Sequence, residues 1–301
     1  MRPSQLIPVS EYITGFTTCH DIDPHHLDHV QLSDDKLAVH KVTKALSHNL
    51  VTPPAPALPE LSPPSPMPKL PPPRKAWEAV YPKGSVNPAG SIPGGFGFSM
   101  SGTHHFAQKL EHGATEVIMS YRFMLDPHWD WVKGGKLPGV FGGVGDLAYG
   151  CTGGRQNDRC ECFNLRPMWR ADSLGELYVY LPPLGNNQTR LLEVPPTSCI
   201  NPDYGVSVGR GSFKLQDAVG RWAAIAIRVK LNDVEQENGE FQLWFNGVSA
   251  MTVDGLVFRK SEDSKIKGMH FQTFFGGHGV DWAAPKDLRA WFADVTGVIL
   301  Q

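Results

Sequence analysis

Lys136 stands among glycines in Trp131-Val-Lys-Gly-Gly-Lys-Leu-Pro-Gly139, and further along come Asn164-Leu-Arg166 and Tyr178-Val-Tyr180. A lysine, an arginine and two phenols supply a cation, a proton acceptor and proton donors without a metal or other cofactor. Removing the proton beside a sugar carboxylate leaves a carbanion, which is tolerable only when the carboxylate charge is neutralised. The planar fork of Arg166 matches a carboxylate, while Lys136 adds a point charge or, with a lowered pKa, accepts the proton. A tyrosine near two cations is expected to have its phenolate favoured, so that it acts as base or returns a proton to the departing glycosidic oxygen. The set suits breaking an acidic sugar chain by elimination.

Strands are the elements that would bring these residues together. Side chains alternate faces, so Tyr178 shares a face with Tyr180 and Asn164 with Arg166. A turn centred on Asp172 would set Arg166 opposite Tyr178 and Asn164 opposite Tyr180, with Cβ atoms on the order of 5 Å apart. Pro167 lacks a ladder donor and demands an edge or a bulge. Plainer readings stand beside this one: a Tyr-x-Tyr pair is most often ordinary packing, and Gly-Gly-Lys-Leu-Pro-Gly most often a turn with a solvated lysine. The latter also lacks the Gly-Lys-Ser/Thr ending of a phosphate loop. His25-His26 and His104-His105 read as surface residues, since adjacent strand positions face opposite ways.

The chain has 301 residues, 41% hydrophobic and 19% charged, enough to bury a core. Its formal net charge of −2 provides no overall field for nucleic acid or an anionic membrane, so a polyanion must meet a local basic cleft. No stretch approaches the roughly 20 apolar residues of a membrane span, and the N-terminus has no apolar run of signal length. With 31 glycines and 26 prolines, short strands and turns are favoured over long helices. Five cysteines are an odd number. Cys151 and Cys162 bracket a polar loop, and a disulfide closing it and two free thiols are the alternatives. A zinc site of Cys151, Cys160 and Cys162 lacks the usual Cys-x2-Cys arms. Asn187-Gln-Thr189 is a glycosylation sequon of the kind that arises by chance.

Between Pro53 and Pro73 eleven of twenty-one residues are proline, the composition of a semi-rigid spacer in extended geometry. Three regions follow: residues 1–52, expected to be poorly structured with a short helix over Ser33–Asn49; a proline-rich linker at 53–75; and an all-β domain at 76–301. The clearest strands are Ala114 to Leu125, Glu176 to Leu181, Trp222 to Leu231 and Phe241 to Phe245, with a hairpin turn at Asn246-Gly247. Many short strands without helical patterning predict two antiparallel sheets packed as a β-jelly-roll sandwich, whose concave face suits a polysaccharide.

The motifs, taken together, resemble polysaccharide lyase family 14, which includes alginate lyases and enzymes acting on glucuronic acid polymers. The resemblance runs from about Gly95 to the C-terminus through Gly95-Phe-Gly-Phe98, Glu116-Val-Ile-Met-Ser-Tyr-Arg122, the Lys136 segment, Cys162-Phe-Asn-Leu-Arg166-Pro-Met-Trp-Arg170, Tyr178-Val-Tyr180, Phe271-Gln-Thr-Phe-Phe-Gly-Gly277 and Trp282. It implies a β-jelly roll, catalytic roles for Lys136, Arg166, Tyr178 and Tyr180, substrate contacts from Asn164 and Gln272, and an acidic polysaccharide substrate. Family members often have serine two residues before that arginine, where this chain has Asn164, and His278 is a second departure. The resemblance favours extracellular action, although this N-terminus shows no signal, and a monomer is expected. Two functions compete: a metal-independent polyuronate lyase of alginate or glucuronan type, and a carbohydrate-binding protein of the same fold with catalysis weakened or lost.

Overall fold

The computed structural model describes residues 3–22, 25–43, 46–201, 203–277 and 279–301. Along Glu116–Leu125 and Leu288–Ile299 nearly every residue is buried, the pattern of central strands covered on both faces. They lie in a sheet ordered Val248–Leu256, Gly239–Phe245, Ala223–Lys230, Glu116–Leu125, Leu288–Ile299, Thr14–Thr17 and Leu27–His29, with Ala76–Tyr81 also pairing Leu288–Ile299 and carrying Asn49–Val51. The second sheet runs Cys199–Ile200, Val206–Lys214, Leu174–Tyr180, Cys162–Trp169, Gly135–Lys136, Ser264–Phe275, Phe96–Met100 and Val39–His40; Gly139–Val144 continues the Gly135–Lys136 track. Among the described strands, pairing is antiparallel except between Thr14–Thr17 and Leu27–His29. This is the β-jelly-roll sandwich the strand pattern predicts. Asn246-Gly247 makes the expected hairpin, both residues at positive φ as a tight two-residue turn requires.

Aromatic residues fill the space between the sheets. Phe96, Phe98 and Phe271 stack nearly parallel, with Trp77 and Phe292 meeting them edge-on. The buried hydroxyls here are paired: Tyr121 donates to the Pro138 carbonyl at 2.9 Å, and Tyr81 bonds Thr273 at 2.6 Å.

Residues 1–52 differ from expectation, because they contribute strands to both sheets. Phe16 and Leu37 are fully buried, and Thr14–Thr17 pairs with the C-terminal strand. The helix expected over Ser33–Asn49 is not formed among the described residues. Ser33 caps a single turn through the Lys36 N–H, then Ala38 and Lys41 take left-handed φ of 48° and 50° and Val39–His40 joins the second sheet. Burial of Leu37 and sheet pairing outweigh local helix propensity here. The proline segment has no regular structure but is tied to the outer face of the first sheet: Leu70 is buried there, and Arg122 donates to the carbonyls of Leu70 and Pro71 at 3.3 and 2.5 Å.

His104 and His105 are exposed as expected, but they open a helix, His104–Glu111, capped by the Thr103 hydroxyl. Asn187 of the sequon is buried, donating to the Pro182 and Val257 carbonyls and accepting the Val257 N–H. Its amide is fully used inside the fold.

Candidate active site

The turn Ala171–Ser173, with Asp172 at a φ of 58°, reverses the chain between Cys162–Trp169 and Leu174–Tyr180. Arg166 then falls opposite Tyr178 and Asn164 opposite Tyr180, the register a turn centred on Asp172 requires. Pro167 sits within this interior strand, and its neighbour on the other side is interrupted at that point. Leu137 and Pro138 separate Gly135–Lys136 from Gly139–Val144, and the Leu137 N–H donates to the Pro167 carbonyl at 2.9 Å. The break absorbs the missing donor, as a bulge would.

Alternation sends Phe163, Leu165 and Trp169 into the core and Asn164, Arg166 and Met168 to the opposite face. Lys136 is on that opposite face, its Nζ 3.4 Å from the centroid of the Tyr178 ring. Burial, then repulsion from Arg166 and Arg170, holds the Lys136 amine well below the ordinary lysine range, with Glu176 opposing. Its charged form is thereby disfavoured relative to that of an exposed lysine.

Arg166 is a buried cation on this face. Its side chain is buried, donating from Nε to the Leu137 carbonyl at 3.3 Å, from Nη1 to Gln272 Oε1 at 3.0 Å and from Nη2 to the Gln272 carbonyl at 2.5 Å. Burial lowers its pKa to about 9, which still leaves it charged at neutral pH. Gln272 thus holds the arginine, and it lies over Gly97, where a Cβ would come within 2.6 Å of Gln272 Cγ.

The tyrosines depart from expectation. Burial raises both phenols: at Tyr178 its neighbour Tyr180 adds to the effect, and at Tyr180 burial prevails over Arg159 and Arg166. Both phenols are thus held in the protonated form, against the phenolate that nearby cations led one to expect. Tyr178 also accepts the Gly205 N–H at 3.2 Å, and the two rings meet edge-on at 5.5 Å.

Two residues that sequence reasoning missed complete the face. Glu176, fully buried, pairs with Arg170 and with Arg210, each at 2.7 Å, and accepts from the Ser207 hydroxyl. Burial pushes its carboxyl up, but the bonds from Arg170, Ser207 and Arg210 prevail and hold it below the usual carboxylate range. His270 bonds through Nδ1 to the Asn164 amide at 3.0 Å, and burial, then Arg166 and Lys136, hold its ring well below the ordinary imidazole range. Each lies two positions from a residue already singled out, Tyr178 and Gln272, so face alternation was the available signal. His278 lies outside the described residues.

Cys151 and Cys162 form a disulfide, which removes them as zinc ligands; Cys160 remains a thiol between them. The loop it closes brings the Arg159 guanidinium to 5.2 Å from the centre of the Tyr180 ring. Lys136, Arg166, Tyr178, Tyr180, Asn164 and Gln272, all singled out in the sequence, thus meet on one sheet face.

The family model for polysaccharide lyase 14 matches residues 72–295. Among solved structures, an alginate lyase of the same family from Aplysia kurodai is 30% identical, with a TM-score of 0.64 over 75% of this chain and 83% of that one. The alginate lyase vAL-1 from Chlorella virus is 24% identical, with a TM-score of 0.60 over 75% of this chain and 85% of that one, a likeness of fold. No curated protein matches the chain. With a family match over most of its length and a solved relative at this identity, the chain belongs to polysaccharide lyase family 14 and is a polysaccharide lyase.

Proposed function

We propose that the protein cleaves a polyuronate of alginate type by β-elimination, using Lys136 as base, Arg166 as carboxylate partner and Tyr178 as acid. The observation that carries this is the contact of Lys136 Nζ with the Tyr178 ring beside buried Arg166, an amine whose pKa burial lowers within reach of a phenol whose pKa burial raises. Arg166 meets the carboxylate of the uronic residue and takes up the charge that grows on it. The Lys136 lone pair removes the proton on the carbon bearing that carboxylate. The electron pair of the broken C–H bond forms the ring double bond, and the bond to the glycosidic oxygen breaks. The phenolic proton of Tyr178 passes to that oxygen, leaving one chain with a free hydroxyl and one with an unsaturated uronide. Tyr180 and the Asn164 amide line the same face and orient the sugar.

Because Arg166 itself answers the carboxylate charge, the scheme requires no metal. Alginate is favoured over glucuronan because the 30% identical relative is an alginate lyase. The competing reading, binding without turnover, draws on Asn164 in place of the usual serine. Absorbance of the unsaturated product after mixing the full chain with alginate, and separately with glucuronan, distinguishes them. Release from alginate that falls at least about a thousandfold in Lys136→Ala, with the fold retained, is expected for loss of a base in the transition state. Silence on both polymers with binding retained would overturn the lyase reading.

A further inference from the structure

Val39–His40 is the outermost strand of the sheet that carries Lys136 and Arg166, and it lies outside residues 72–295, which the family model matches. Val39 packs against the core, so alternation turns His40 to the opposite face, the one that bears the candidate site. The strand register makes that position continuous with the site. His40 pairs with Ser99, Ser99 with His270, His270 bonds Asn164, and Asn164 pairs with Tyr180, one polar row running across the strands. From Asn164 to His40 there are four inter-strand steps of about 4.8 Å, about 19 Å in all.

The row ends in charge. Lys41, next to His40, places its Nζ 3.8 Å from the centroid of the Tyr149 ring, and that ring packs 5.2 Å from Phe141, which faces His270 on its other side. His40 Nδ1 bonds the Ala38 carbonyl at 2.9 Å, and because a carbonyl only accepts, Nδ1 carries the proton. Nε2 of a neutral ring then accepts from the Tyr149 hydroxyl at 2.7 Å, and the phenol oxygen keeps its lone pairs for another donor. Lys41 pairs with Asp146 at 3.2 Å, but the two side chains are 50% and 93% exposed, so water weakens the pairing and a second carboxylate can replace it. An ammonium and a phenol acceptor presented together match the carboxylate and one hydroxyl of a single uronic residue.

We propose that Lys41 and Tyr149, the latter oriented by His40, form a distal subsite for an acidic sugar residue of the polymer whose cleaved bond lies at Lys136 and Arg166. The inference rests on the polyuronate reading of the site. It gives the N-terminal strand a part in substrate binding, since that strand lengthens the binding face beyond the segment matched by the family model. An oligomer long enough to reach from Arg166 to Lys41 engages both ends of the row at once, and the second contact is then intramolecular; a shorter one forgoes it.

The test is calorimetric titration of the full-length chain in a Lys136→Ala background, which separates recognition from turnover, with a trisaccharide and a decasaccharide cut from alginate and, separately, from glucuronan. Adding Lys41→Gln is expected to weaken binding of the decasaccharide about fivefold or more and to leave the trisaccharide within about twofold of the parent. Tyr149→Phe, which keeps the ring beneath Lys41 and removes only the oxygen, should cost the decasaccharide about threefold, and Asp146→Asn, which removes the competing carboxylate, should tighten it. Equal losses at both lengths, a decasaccharide affinity in Lys41→Gln within about twofold of the parent, or weaker decasaccharide binding in Asp146→Asn would overturn the proposal, as would a parent that binds neither oligomer. Should Tyr149→Phe fail to fold, the variants at the exposed Lys41 and Asp146 side chains decide. Turnover is scored separately on the wild-type chain. A length-dependent loss at Lys41 without unsaturated product would sink the lyase reading and uphold this one, and unsaturated product with no such loss would do the reverse.

Discussion

Glu176 is a carboxylate that touches no substrate in the proposed reaction, and its replacement by glutamine separates structure from electrostatics. It is fully buried between two arginines, Arg170 with a side chain 14% exposed and Arg210 with one 32% exposed. Removing one partner of a buried pair costs about 3–5 kcal/mol, and water reaching Arg210 brings the figure to the low end, about 3 kcal/mol. With an unfolding entropy of about 2.1 cal/mol/K per residue, a chain of 301 residues loses about 5 °C in Tm. The loss has a pH signature. The Glu176 carboxyl is depressed in the folded state, so its stabilisation is present above the ordinary pKa of 4.5 and disappears as pH falls through the folded value. Wild type and Glu176→Gln should therefore converge in acid. Thermal unfolding followed by circular dichroism from pH 7 to pH 3, with pH as the controlled variable, reads both effects. A Tm within about 1 °C of wild type at pH 7, or a difference that persists undiminished in acid, would refute the reasoning.

In the proposed reaction Lys136 must be neutral to act as base, so kcat should rise with pH through an acid limb well below the ordinary lysine value of 10.5; Glu176→Gln, which removes a carboxylate opposing that depression, should move the limb to lower pH. A limb unmoved in the variant would contradict the coupling. Gly97→Ala forces a methyl to within 2.6 Å of Gln272 Cγ and disturbs the residue that holds Arg166, so kcat/KM should fall about tenfold or more while Tm changes by only a few degrees. Unchanged kinetics would show that Gln272 does not hold the arginine in place. Cys151→Ser removes a crosslink of sequence separation 11, for which chain entropy gives about 3 kcal/mol, and loosens the loop bearing Arg159. Denaturant melts that coincide with wild type would refute that contribution.

The local part of the site was legible because one turn determines it. Asp172 lies midway between Arg166 and Tyr178, and period-two alternation does the rest. What joins Arg166 to Gln272 and Asn164 to His270 is a contact across 106 residues of chain, whose register depends on strands no local pattern specifies. Glycine-rich Gly139–Val144 carries little strand propensity, yet it is held between Cys162–Trp169 and Ser264–Phe275. Strands of two to four residues in the first fifty, such as Val39–His40, are too short to show alternation. The tyrosine chemistry was misread for a different reason. Charges nearby can be guessed from sequence, whereas burial, which prevails at Tyr178 and Tyr180, cannot.

The N-terminal residues and the proline segment have a consequence for how the chain keeps to itself. Leu6, Ile7 and Leu70 lie on Ile118, Ala226, Trp244 and Val298, which belong to the outer face of the first sheet. Thr14–Thr17 occupies hydrogen-bonding positions along the C-terminal strand. Stripping this layer would leave an apolar plate bordered by unpaired backbone, the kind of surface on which one molecule templates the next. Proteolytic loss of the first seventy residues would thus spare Lys136 and Arg166 and still remove the enzyme from solution, through aggregation rather than chemistry.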